Sequence, residues 1–161
     1  MNVDLICVGG LKERYLRDAV DEYVKRLKGY CRIEITEVQD ERTPDAMSER
    51  ERGLILEREA ERVRRHLATG SGVWRIALCI DGVSYSSEAW ADHLESLKVS
   101  GKSRLQLVIG GSLGLDERLI GEMDEKLSFS EFTFPHQLMR VILLEQLYRS
   151  FRISSGEPYH K

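Results

Sequence analysis

The chain has 161 residues, 42% of them hydrophobic and 32% charged, with a formal net charge of −3. This composition is typical of a globular protein that buries a core without metals or disulfides, and the net charge is unusual for a protein that coats nucleic acid. No apolar run approaches the roughly 20 residues that span a bilayer, the start does not resemble a secretion signal, and three widely spaced cysteines indicate reduced thiols. We therefore expect a cytoplasmic protein with no membrane contact.

The hydrophobic pattern predicts strands and helices in alternation along the chain. The predicted strands cover residues 3–8, 31–38, 73–80, 104–109 and 127–134. Five helices fill the intervals. The first runs from about residue 15 to 27, and a capping box of Ser48 and Glu51 opens the second, which continues to about Leu67. The other three begin near Ser86 or Ser87, Asp116 and Pro135.

Strands that alternate with helices predict an α/β fold, in which a mostly parallel sheet carries helices on both faces. No internal repeat or low-complexity linker interrupts the pattern, so residues 1–161 are predicted to form a single domain. On the second helix, the residues predicted to face the core are Leu54, Ile55, Ala60, Val63 and Leu67.

The last helix has almost no polar face. Its sequence, HQLMRVILLEQLYRSF, places apolar side chains on every side between residues 136 and 151. A helix that is apolar all round is buried on all sides. In a chain of this size a second subunit is needed to cover part of that surface, and we therefore expect a homodimer.

Three predicted strands end in turn or polar residues, where ligands bind in parallel sheets. The three strand ends are Asp81-Gly82, the glycine-rich segment 110–114, and Phe134-Pro135-His136. The segment QLVIGGSLGL lacks the spacing of a dinucleotide fingerprint and the Gly-Lys-Ser/Thr of a phosphate loop. Taken alone, Gly110, Gly111 and Gly114 are equally typical of a tight turn.

Chemically active side chains concentrate near the last helix. His136 either begins this helix or points into a pocket at the strand ends, and Arg140 follows one turn later on the same face. A cation in an apolar helix needs a carboxylate or an anionic ligand. The histidines share no metal-ligand spacing with one another or with the cysteines, so no metal site is expected. Tyr159 and His160 form an unusual titratable pair near the end of the sequence.

Four segments resemble one family over essentially the full chain. They are VGGLKERYLRDAVDEYVKRL, VIGGSLGL, LSFSEFTFPHQLMRVILLEQLYRSFRI and PYHK. They are similar to ribosomal RNA large subunit methyltransferase H, a family of the SPOUT class. The phenylalanine-proline-histidine stretch followed by Met139-Arg140-Val141 is the most specific part of this resemblance.

The resemblance implies that the C-terminal part of the sheet forms a trefoil knot that holds S-adenosylmethionine between three strand-end loops. The implied cofactor-binding residues are Leu78, Gly82, Gly110, Gly111, Gly114, Phe129, Ser130, Glu131, Phe132, Thr133 and Phe134. The glycines would then let the backbone approach a bent methyl donor closely. Cys79 stands where many relatives have an acidic residue, and no role is assigned to it.

The reaction implied by the resemblance is methylation of N3 of a pseudouridine in 23S ribosomal RNA. We expect Arg140 to stabilise the negative charge left on the ring, and His136, Tyr159 or His160 to serve as the base or orienting group. In a homodimer, the tail of one subunit would reach the cofactor of the other. The chain lacks a broad basic face, and this favours an assembled ribosome over free RNA as the substrate. The alternatives are a SPOUT enzyme acting on transfer RNA, a non-catalytic cofactor-binding scaffold and, with least support, a nucleotide-binding regulator.

Overall fold

The computed structural model describes residues 1–159 of the chain. Within that range, five strands alternate with five helices. In chain order they are β1 (Asn2–Val8), α1 (Arg14–Leu27), β2 (Arg32–Val38), α2 (Glu49–Arg64), β3 (Val73–Ser84), α3 (Ser87–Val99), β4 (Arg104–Ile109), α4 (Glu117–Gly121), β5 (Glu125–Ser128) and α5 (His136–Ser154). The alternation predicted from the sequence is confirmed.

The five strands form one parallel sheet in the order β2-β1-β4-β3-β5. Successive residues of β1 point to opposite faces, because side chains alternate along a strand. Leu5 belongs to a core shared with α1, α3 and α5, whereas Ile6 belongs to a smaller core shared with α2 and α4. Helices therefore cover both faces, which confirms the predicted α/β architecture.

Helix α2 begins with the predicted capping box. The Ser48 side chain accepts the N–H of Glu51 at 3.2 Å, and the Glu51 carboxylate accepts the N–H of Ser48 at 2.7 Å. The helix ends at Arg64, three residues before the predicted end. The prediction that Leu54 faces the core is wrong, because 44% of this side chain is exposed. Ile55 and Val63 define the buried stripe, and Leu54 lies about 100° away from it around the helix.

Two strand boundaries near the sheet edge differ from the prediction. Strand β3 continues past residue 80 to Ser84, with a register shift against β5 between Leu78 and Val83. The predicted strand at residues 127–134 is wrong beyond Ser128. There the chain turns, because the Ser128 hydroxyl donates to the carbonyl of Ser130, whose own hydroxyl accepts the N–H of Phe132. These side-chain bonds replace the sheet ladder.

Helix α5 begins at His136, directly after Pro135, and packs against α1 and α3. Its inner side chains Leu143, Leu144 and Leu147 are fully buried. At its beginning Leu138 is 37% exposed in the single chain. The knot, the second subunit and the single domain over residues 1–161 stay predictions. Within residues 1–159, no helix is both long and apolar enough to cross a membrane.

Candidate functional site

A cavity of about 630 Å³ opens at the carboxyl ends of β3, β4 and β5, beside the first turn of α5. It is lined by residues of β3, of the end of β4 and the segment 110–114, of β5 and the chain after it, and of the first turn of α5: Leu78, Cys79, Ile80, Ile109, Gly110, Gly111, Ser112, Leu113, Gly114, Leu127, Phe129, Ser130, Phe132, Thr133, Phe134, Pro135, His136 and Met139. Two of the three segments singled out from the sequence, residues 110–114 and Phe134-Pro135-His136, therefore meet at one pocket, the position at which parallel sheets bind ligands. The prediction is wrong for Asp81-Gly82, which lies within β3 and outside the lining, because the strand continues to Ser84.

The segment 110–114, hereafter the glycine loop, is folded tightly on itself. Gly111 and Gly114 form an isolated bridge, and the N–H of Gly114 donates to the carbonyl of Gly111 at 3.1 Å. Gly114 has a φ of +83°, which favours glycine. A Cβ at Gly110 would lie 2.4 Å from the carbonyl oxygen of Gly114. The loop therefore requires glycine for its own closure, and this leaves its backbone exposed to the pocket.

Two residues implied as cofactor-binding lie outside the pocket lining. A Cβ at Gly82 would lie 2.6 Å from the backbone carbon of Leu127, so the close approach of β3 and β5 explains this glycine. The exposed side chain of Glu131 is on the neighbouring turn. The other nine implied residues line the pocket, among them Phe132, which is 77% exposed at its mouth.

His136 lines the pocket at the beginning of α5. Its ring is half-buried, and this burial lowers the pKa of the imidazole below its ordinary value of 6.5. The guanidinium charge of Arg140 lowers it further, while Asp40 opposes the shift. The imidazole is therefore neutral near pH 7 and has a ring nitrogen that can accept a proton.

Arg140 lies one turn further along α5 and is 1% exposed. It does not line the pocket. Its guanidinium forms an ion pair with the carboxylate of Glu37 and donates to the carbonyl of Gly9, which ties α5 to the ends of β1 and β2. The buried cation thus has the carboxylate partner that burial demands. Its link to the pocket is electrostatic, through His136.

Tyr159 lies apart from this pocket, against the far half of α5. Its ring contacts Tyr148 edge-on at 5.0 Å, the guanidinium of Arg149 lies 4.8 Å from the ring centre, and its hydroxyl is 3.4 Å from Glu145 Oε1. His160 lies outside the residues that the structure describes. The role predicted for Tyr159 in catalysis therefore requires the pocket of a second subunit.

Sequence reasoning missed several residues of the site. Ser112, Leu113 and Met139 line the pocket, and Cys79 contributes to its wall. Glu37 gives no local signal, because in the sequence it is one more polar residue of an alternating strand. Among residues 1–159, no cluster of three histidine, cysteine or acidic side chains could hold a metal ion.

The chain belongs to the SPOUT methyltransferase family: the family described as "Predicted SPOUT methyltransferase" matches residues 1–160. Two curated relatives that match the full chain have the same name. A protein of Bifidobacterium animalis subsp. lactis, 52% identical over 161 residues and the full length of both chains, is named ribosomal RNA large subunit methyltransferase H. A protein of Clostridium novyi, 50% identical over the same full length, has the same name.

Solved structures share the fold at low sequence identity. A methylase family protein from Haemophilus influenzae aligns with 99% of this chain and 70% of its own, at a TM-score of 0.53 and 12% identity. A Legionella pneumophila protein, described as a methyltransferase in complex with the bound cofactor SAM, aligns with 96% of this chain and 66% of its own, at a TM-score of 0.50 and 12% identity. Both similarities concern the fold alone.

Proposed function

We propose that this chain transfers a methyl group from S-adenosylmethionine to N3 of a pseudouridine in the 23S RNA of the large ribosomal subunit. The observation that carries the proposal is full-length identity of 50% or more to relatives named for large-subunit ribosomal RNA methylation. The pocket at the strand ends supports it, because it lies where a cofactor would be expected in this fold.

The pocket suits a molecule of the size and character of S-adenosylmethionine. Its volume of about 630 Å³ is within the range of cofactor sites, and its walls combine apolar side chains with exposed backbone of the glycine loop. Leu78, Phe129, Phe134 and the glycine loop would hold the cofactor. When bound, S-adenosylmethionine supplies a methyl group on a sulfonium that is already a strong electrophile, so a protein nucleophile is not needed.

The remaining requirement is removal of the imide proton from N3, and we assign this step to His136. Its imidazole lines the pocket and is held neutral by burial and by the charge of Arg140. Arg140 in turn contributes positive potential where charge develops on the pyrimidine ring. Tyr159 and His160 of a second subunit would complete the site as orienting groups or as an alternative base.

The net charge of −3 favours an assembled ribosome as the substrate, because a protein without a broad basic face gains little from neutralising phosphates. Recognition would then depend on the shape of the ribosome and on a homodimer that presents two pockets. Ribosomal RNA methylation also implies a cytoplasmic location. The three free cysteines agree with this, because thiols stay reduced in the cytoplasm.

The test is methyl transfer from labelled S-adenosylmethionine to whole ribosomes, separated subunits, free ribosomal RNA and transfer RNA from cells that lack the enzyme. We expect label at one pseudouridine of the large subunit, in assembled ribosomes. Equal labelling of free RNA would contradict the argument from charge. Label in transfer RNA would replace the proposed substrate, and cofactor binding without transfer would support a scaffold protein.

A further inference from the structure

A buried acidic residue lies next to the glycine loop but does not line the pocket. Glu59 belongs to α2, whose other glutamates are exposed, yet it is only 5% exposed. Removing a carboxyl group from water is unfavourable unless it is bonded in its new surroundings. Burial also raises the pKa of the Glu59 carboxyl above its ordinary value. Interactions inside the protein must therefore offset the burial of the Glu59 carboxyl group.

The Glu59 carboxyl forms a backbone hydrogen bond and no ion pair among the described residues. Its Oε1 accepts the N–H of Glu41 at 2.8 Å, in the segment that follows β2. The nearby cations Arg58 and Arg62 pair with the Glu41 carboxylate instead. Glu59 therefore acts as a hydrogen-bond acceptor, and the length of its side chain sets the position of the accepting oxygen.

The same carboxyl faces Gly111 of the glycine loop, across the space that a side chain at Gly111 would occupy. A Cβ built on Gly111 would lie 3.5 Å from Oε2 and 3.6 Å from Oε1 of Glu59, and 3.1 Å from a methyl group of Val8. The segment held by Glu59 also reaches the loop directly, since the hydroxyls of Thr43 and Ser112 are 2.9 Å apart. Glu59 is thus the buried contact that joins the segment after β2 to a wall of the pocket.

We propose that Glu59 is a positioning residue of the cofactor pocket: its carboxyl oxygen fixes the backbone at Glu41 and supports Gly111, so that the glycine loop is preformed for the methyl donor. This inference rests on the proposed function for the identity of the ligand. We assign this role to the position of the oxygen rather than to its charge, since the amide oxygen of a glutamine at the same position can also accept the Glu41 N–H.

Two conservative substitutions separate the effect of side-chain length from the effect of the carboxylate charge. Glu59→Gln keeps the length and an oxygen acceptor, whereas Glu59→Asp keeps the carboxylate but withdraws it by one methylene. We expect calorimetry to give Glu59→Gln an affinity for S-adenosylmethionine within about twofold of the parent, and Glu59→Asp an affinity about tenfold weaker. In methyl transfer, Glu59→Asp should raise KM for the cofactor and leave kcat at saturation nearly unchanged. The matched control is Glu57→Gln, at an exposed position of the same helix, which should behave like the parent.

A second measurement does not depend on the cofactor. The amide resonances of Gly111 and Ser112 in the free protein should shift in Glu59→Asp and stay in place in Glu59→Gln. The inference would be overturned if Glu59→Gln weakened cofactor affinity or shifted the resonances as much as Glu59→Asp does, or more. It would also be overturned if neither substitution changed the affinity or the resonances. A parent protein that binds no S-adenosylmethionine would count against the proposed function, whereas the resonances would still decide whether Glu59 positions the loop.

Discussion

At the scale of single residues, the pocket obtains its chemistry from a few side chains with unusual surroundings. His136 lines the pocket together with the thiol of Cys79, and the neutral form of its imidazole is favoured by burial and by Arg140. Arg140 is paired with the carboxylate of Glu37 and does not line the pocket, so its guanidinium affects His136 through its charge rather than through a hydrogen bond. The site therefore combines a proton acceptor with a fixed positive charge one helical turn away.

Replacement of His136 tests its role as the base. We expect His136→Gln to lower kcat by about 100-fold, the lower end of the range for a general base, while the affinity for S-adenosylmethionine changes little. Single-turnover methyl transfer and calorimetry measure the two effects. The exposed His66 provides the control, and His66→Gln should behave like the parent. Unchanged kcat in His136→Gln would transfer the role to the tail residues.

The pH dependence of the reaction follows from the lowered pKa of His136. Only the neutral imidazole accepts a proton, and the folded protein holds the pKa below 6.5. The acid limb of the profile should therefore have its midpoint below pH 6.5, so that more than half of the maximal rate remains at that pH. A profile of kcat/KM, which reports ionisation of the free enzyme, measures this limb in the parent, and the limb should disappear in His136→Gln. A midpoint above pH 6.5 would contradict the assignment.

The glycine loop gives a second prediction at this scale. In Gly110→Ala the new methyl group meets the backbone of Gly114, so the loop must open and the affinity for S-adenosylmethionine should fall at least about tenfold. Gly121→Ala is the matched control, because a Cβ there has no neighbour within 4 Å among the described residues. Calorimetry on both variants, with thermal unfolding as a check on stability, measures the difference.

At the scale of elements, local chemistry fixed the beginnings of the helices better than the ends of the strands. Ser48, Ser86 and Asp116 accept backbone N–H groups at the beginnings of their helices, as their sequence positions predicted. The end of β5 could not be predicted in this way. The residues after Ser128 keep an alternating pattern, but they turn away because Ser130 forms local hydrogen bonds.

The capping box of α2 can be tested by stability. Ser48→Ala removes the acceptor for the Glu51 N–H and should lower the free energy of unfolding by about 1 kcal/mol. Denaturant unfolding measures the change. Ser96→Ala, on the exposed surface of α3, should leave stability within about 0.5 kcal/mol of the parent. A loss in Ser48→Ala no larger than in the control would mean that packing alone holds this end of α2.

At the scale of the whole molecule, the parallel sheet brings residues of β3, the glycine loop and the chain after β5 to one pocket, while the tail residue Tyr159 lies against the far half of α5. A site that uses both His136 and the tail therefore requires two subunits. This arrangement agrees with an apolar α5 and with the predicted homodimer. It also leads to a prediction that a monomeric enzyme would not satisfy.

Two slow variants should restore each other's activity when mixed if the tail of one subunit acts on the pocket of its partner. His136→Gln and Tyr159→Ala are each expected to be slow. After mixing and subunit exchange, half of the dimers contain one complete site, so the rate should recover to about a quarter of the parental value. Sedimentation should give twice the chain mass of 18.5 kDa. A mixture no faster than its components would place the tail and the pocket in the same subunit.

Local features of the sequence predicted the order of the elements and a sheet covered by helices on both faces. These predictions depend on periodicity, on caps within one turn and on loops that directly follow strands. The resemblance added the family, the cofactor, the substrate and most residues of the pocket wall, which periodicity could not supply.

The tertiary structure alone decided which partners the polar groups find. Arg140 pairs with Glu37, 103 residues away, and Glu59 lies next to Gly111 although nothing in either segment indicates it. It also assigned Gly82 to the contact between β3 and β5 rather than to the pocket wall. The physical reason is the same in each case. Burial and hydrogen bonding are settled between elements that are distant in sequence, and they exist only after the sheet has assembled.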